Sequence, residues 1–166
     1  MLTLIAFAAY LLKKFGSEAR IRRVFGAIAD TGLTVEIPFN FEGIDHTPNT
    51  VNVHRFIARF ADDRTILGVS EALFRAYFIE GRNIGEMDVL ADLGADLGIP
   101  RKDVTDFIKS DDGTEEVYEE NARAHRIGIN GVPAFVFNEQ FVISGAQEPE
   151  VLARVLDAAN MAGRKL

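Results

Sequence analysis

The sequence predicts an α/β chain that is mostly α: a helical block over residues 1–127, then a ββα unit over residues 128–166. Three observations predict it. Apolar residues recur at helical spacing in stretch after stretch through the first three-quarters of the chain. Two short β-rich runs, 134–137 and 141–144, flank a short turn. A final stretch then carries Val151, Leu152, Val155 and Leu156 on one helical face.

The elements follow in order. Residues 5–15 read as a helix ending at Gly16, and Ser17 can cap the next one, where Ile21, Val24, Phe25 and Ile28 recur at helical spacing. Gly32 closes it. Residues 33–48, LTVEIPFNFEGIDHTP, hold two prolines and read as a loop-like connection. Asn49 or Thr50 caps a third helix with Val53, Phe56, Ile57 and Phe60 on one face. A fourth helix, about 66–80, carries Leu73, Phe74, Tyr77 and Phe78. Val89, Leu90, Leu93 and Leu97 mark a fifth, stopped by Gly98. Pro100 opens a sixth at the first-turn position, with Val104, Phe107 and Ile108 inward. Asp112 caps a seventh, about 113–127.

The stretch GINGVPAFVF, 128–137, is the most informative. Gly128 and Gly131 break an apolar run, so the backbone turns there. Pro133 lacks an N–H and restrains Val132 to an extended shape. Ala134–Phe137 then reads as a buried strand, and Phe141–Ser144 as its hairpin partner across Asn138-Glu139-Gln140. A proline at the entrance of a strand points to a cis bond, or to a loop facing something outside the ladder.

Composition excludes several functions. The chain has 166 residues, 48% of them hydrophobic, enough for one ordinary domain or a domain with a small lobe. A net charge of −7 without a basic stripe argues against a nucleic-acid partner. With no cysteine, the chain has no disulfide, thiolate nucleophile or thiolate metal ligand. The opening MLTLIAFAAYLLKK is shorter than the run of about 20 apolar residues that spans a bilayer. It reads as a buried or partner-binding helix, and the chain is expected to be cytoplasmic with no membrane partner.

Other candidates are weaker. His54 could act as an acid or base, yet no carboxylate stands at helical spacing to orient it, so a surface or structural role is favoured. Asn49 reads as a helix cap before it reads as a ligand. His46, His54 and Asp45, with His125 far away, do not make a zinc set, and no metal is expected. GVSEA, 68–72, falls in a helix and lacks the strand that a nucleophile elbow needs.

PNTVNVHRFIARFA (48–61), LFRAYFIEGRNIGEMDVL (73–90) and GINGVPAFVFNEQFVISGAQEPEVL (128–152) together resemble the DsbA family, in its FrnE-like branch. The resemblance runs from about Ala9 to the end of the last helix. It implies a helical insertion domain plus the C-terminal ββα half of a thioredoxin fold, an incomplete version of that fold. The half that carries C-x-x-C in such proteins has no counterpart in these residues. By resemblance, Pro133 is the cis-proline that faces the active cysteines, and Val132 offers backbone groups to a bound peptide or thiol. His54 and Asn49 join them as candidate substrate-binding residues, and none is expected to be catalytic.

Related glutathione-dependent isomerases and kappa-class transferases usually place an aspartate near the start of the last helix. Gln147 stands there here, which favours the oxidoreductase branch. The resemblance therefore implies a truncated thiol–disulfide oxidoreductase that is redox-inactive as this chain. A glutathione-dependent isomerase or transferase, or a non-catalytic peptide-binding or assembly module, is the alternative. No cofactor is expected, glutathione being the one small molecule the alternative admits. Without its first half, strand 134–137 becomes an open apolar edge. The chain is therefore expected to dimerise, or to bind a partner that completes the sheet, through that strand or segment 2–12.

Overall fold

The computed structural model describes residues 7–138 and 141–163. Residues 2–6 of the expected N-terminal contact segment, and Glu139 and Gln140 of the hairpin turn, lie outside the described residues. The chain divides into two compact units between Thr114 and Glu115. The sequence reading drew its boundary at 127/128, one helix later; by its contacts, the seventh helix groups with the hairpin.

The first unit holds α1 (Phe7–Phe15), α2 (Glu18–Leu33), a 3-10 turn (Phe41–Gly43), α3 (Val51–Phe60), α4 (Ile66–Phe78), α5 (Met87–Asp96) and α6 (Arg101–Lys109). Ser17 caps α2, its Oγ accepting from the Arg20 N–H at 3.3 Å. Thr50 is the N-cap of α3 without a side-chain bond, and Asn49, one residue earlier, holds the helix start, its Oδ1 accepting from the Val51 N–H at 3.1 Å. Asp62 and Thr65 form a reciprocal box ahead of α4: Asp62 Oδ1 accepts from the Thr65 N–H at 2.9 Å, and Thr65 Oγ1 accepts from the Asp62 N–H at 2.9 Å. Pro100 is the N-cap of α6, one position before the first-turn site expected of it. Asp112 was expected to cap the seventh helix; its N–H instead donates to Ser110 Oγ at 3.2 Å, and its carbonyl accepts from Arg55.

The core of this unit lies among α3, α4, α5 and α6. Phe56, Leu90 and Val104 are its largest fully buried side chains, with Val69, Leu73 and Ala76 contributed by α4. Phe56, Leu73, Leu90 and Val104 belong to the stripes that the helical spacing marked, and burying each contributes about 1.5–3 kcal/mol. On α4 the expected face is shifted: Phe74 is exposed, and Val69 and Ala76 turn inward with Leu73. Between α5 and α6 the chain reverses through a Schellman ending. The Gly98 N–H donates to Ala95 O at 3.0 Å and the Ile99 N–H to Gly94 O at 2.8 Å. Gly98 has φ +84, the left-handed value that this ending requires.

The second unit holds most of α7 (Thr114–Arg126), then β1 (Ala134–Phe137), β2 (Phe141–Ser144) and α8 (Pro149–Gly163). The strands pair antiparallel in the register Ala134↔Ser144, Phe135↔Ile143, Val136↔Val142 and Phe137↔Phe141. Phe135, Phe137 and Ile143 are half-buried; Val136, Phe141 and Val142 are exposed. Asn138, at the turn with φ 49, donates through Nδ2 to the Ala159 carbonyl of α8 at 2.8 Å. Ala159 is buried there. The result is a mostly helical chain with a small two-stranded antiparallel sheet among the described residues, the mostly α arrangement with a ββα unit expected from the sequence.

Candidate functional site

The segment before β1 is the candidate site. Asn130 folds back on it, its Nδ2 donating to Gly128 O at 3.2 Å. The Val132–Pro133 peptide bond is cis. The Pro133 carbonyl accepts from the Gly145 N–H at 2.8 Å, which extends the hairpin ladder by one bond. Pro133 is thus held through its oxygen, the only backbone hydrogen-bonding group it has. Val132 stands clear of this arrangement, 90% exposed. Among the described residues, neither its N–H nor its C=O makes a backbone hydrogen bond. A residue with both polar groups free can pair with an extended peptide laid alongside it. Beyond the hairpin, Gln147 Nε2 donates to Ser144 O at 3.4 Å and steadies the start of α8.

Asn49 and His54 belong to the first unit, Val132 and Pro133 to the second. Asn49 Oδ1 is occupied by the Val51 N–H at the start of α3. His54 is exposed on α3, and its backbone N–H donates to Thr50 O at 3.0 Å. Ser70 of GVSEA lies inside α4. Among the described residues, no three His, Asp or Glu side chains gather to hold a metal ion. No helix among them is long and apolar enough to cross a membrane.

Sequence reasoning missed Arg55. It lies on α3 between the stripe residues and is only 3% exposed. Its guanidinium donates five hydrogen bonds: to Asp112 O at 2.8 Å, Asn52 Oδ1 at 2.7 Å, Ile108 O at 3.4 Å, Phe107 O at 3.1 Å and Ser110 O at 2.6 Å. The Phe107 ring lies 5.0 Å away for a cation–π contact. Among the described residues, no carboxylate pairs with this charge. Carbonyls at the C-terminus of α6, Phe107 and Ile108, and just beyond it, Ser110 and Asp112, surround it with partial negative charge instead. The signal available beforehand was an arginine between Val53 and Phe56 with no acid three or four positions away. Its work is to end α6 and fix residues 110–112.

Comparison with curated proteins finds no match. Among solved structures, a candidate DsbA oxidoreductase from Streptomyces coelicolor superimposes with a TM-score of 0.85 at 21% identity, covering 99% of this chain and 70% of that one. A candidate protein disulfide isomerase from Nitrosomonas europaea gives 0.70 at 18% identity, covering 98% of this chain and 78% of that one. At such identities the likeness is one of fold. The sequence pattern of the DSBA-like thioredoxin domain matches residues 6–157, taking in the helical block, the proline loop and the hairpin together, and the chain belongs to that family.

Proposed function

We propose that the chain is a DsbA-like protein that presents the peptide-facing wall of a thiol–disulfide exchange site and is redox-inactive alone. The observation that carries this is the pairing of an exposed Val132, its backbone groups free, with a sequence that holds no cysteine. Exchange begins with a thiolate attacking a disulfide sulfur, and no residue here can supply one. The loop can still hold an extended peptide in register with β1. Any exchange at this wall uses a thiol from outside these 166 residues.

The test has two arms. Purified chain incubated with insulin and dithiothreitol, and separately with oxidised glutathione and a thiol peptide, is expected to leave both rates at the buffer value. Catalysed exchange by the chain itself overturns the proposal. An extended peptide carrying a photoreactive group is expected to label residues 130–134. Labelling spread evenly over the chain removes the peptide-facing half of the reading.

A further inference from the structure

We propose that the cavity between α1, α2 and the 3-10 turn binds a small amphiphile with a ring-containing apolar body and one cationic head. The cavity measures about 850 Å³. Ligand pockets run from about 300 to 1,000 Å³, whereas a stable protein partner covers roughly 800 Å² of a surface. The size therefore fits a small molecule.

Its walls are aromatic. Phe39 and Phe41 stack at 5.1 Å with their planes 13° apart, and Phe25 meets Phe41 edge-on at 4.7 Å. Phe7 continues the wall, edge-on to Phe25 at 6.2 Å. Leu11 and Ile44, buried at 8% and 5% exposure, line its deeper part. Flat aromatic faces at right angles receive a ring by stacking on one and meeting the edge of another.

The exposed lining sets the charge. Glu18, Glu42 and Asp45 line the cavity at exposed positions, with Arg22 as the one basic side chain. Arg22 is held by Glu18 at 3.5 Å. The carboxylates of Glu42 and Asp45 make no ion pair or hydrogen bond among the described residues. An apolar body seated against the phenylalanines leaves its polar end beside these two carboxylates. A cation is favoured there and an anion repelled.

Gly26 supplies the decisive variant. It lines the cavity from α2, and a Cβ placed on it meets nothing within 4 Å. Gly26→Leu therefore starts a side chain in open space on the cavity wall, and leucine is the better helix former. The probe is N-phenyl-1-naphthylamine, which fluoresces in apolar sites, displaced by 2-naphthylmethylammonium or by 2-naphthoate. The expected result is one probe site per chain, with the ammonium displacing at a concentration about fivefold or more below that of the carboxylate. Gly26→Leu is expected to lower probe affinity at least about tenfold while the far-ultraviolet spectrum and melting temperature hold. The double variant Glu42→Gln, Asp45→Asn, at two exposed positions, should keep the probe and lose the preference for the ammonium. Failure of the probe to bind, binding unchanged by a folded Gly26→Leu, or equal displacement by both naphthalenes overturns the proposal.

Discussion

At the scale of single residues, Arg55 and Asp62 show how much of this fold rests on polar side chains that finish helices. Replacing Arg55 by methionine keeps its apolar stem and strips donors from the carbonyls of residues 107, 108, 110 and 112. The expected loss is on the order of 3 kcal/mol in a urea titration. Arg55→Lys should recover less than half of it, because an ammonium cannot fan out to that many acceptors. Asp62 gives a pH dependence. Hydrogen bonds from the Thr65 hydroxyl, then from the Thr65 and Arg64 amides, hold its carboxyl below the ordinary aspartate range. Its contribution is therefore present above the unfolded value near 3.9 and is lost as pH falls through the lower folded value. Asp62→Ala should lower the urea midpoint at neutral pH, with the gap to the parent closing as pH drops below about 4. A gap independent of pH would remove the carboxylate from the explanation.

At the scale of elements, the regular pieces were legible and the irregular ones were not. The strands at 134–137 and 141–144 lie where β-rich runs and the turn between them put them, and the stripes of α3, α5 and α6 form the core. Period carries that information. The cluster of seven phenylalanines that joins Phe7, Phe15, Phe25, Phe39, Phe41, Phe74 and Phe78 has no single period, since a loop-like segment and three separate helices supply it. Residues 33–48 accordingly read as a plain connection, although Phe39 and Phe41 make them a cavity wall. Glycine and proline made the turn and cis bond at Val132–Pro133 legible, whereas its candidacy as a site came from the family resemblance. The task of Arg55 was hidden because its four carbonyl acceptors lie more than fifty positions away. α7 is a third case: a helix with no buried residue, whose place in the second unit its own pattern could not reveal.

At the scale of the whole molecule, the sheet sets what is expected in solution. It has two strands, so each strand leaves one edge unpaired among the described residues. A hairpin alone is marginal, and open apolar edges recruit other strands. Val136 and Val142 face each other across the ladder and are both exposed. Light scattering across a concentration series is expected to show dimers or larger species, and Val136→Lys should shift them toward monomer. A monodisperse parent monomer at every concentration would count against association through this strand.

The five bonds of Arg55 also decide where the chain can be cut. A fragment ending at Lys109 would keep α1 to α6 intact, and by a count of helices it would look complete. It would nonetheless lack the carbonyls of Ser110 and Asp112, leaving the guanidinium in the core with two of its acceptors gone. The smallest self-sufficient version of the helical unit therefore runs through Asp112. A boundary drawn at the end of the last helix would discard the residues that close it.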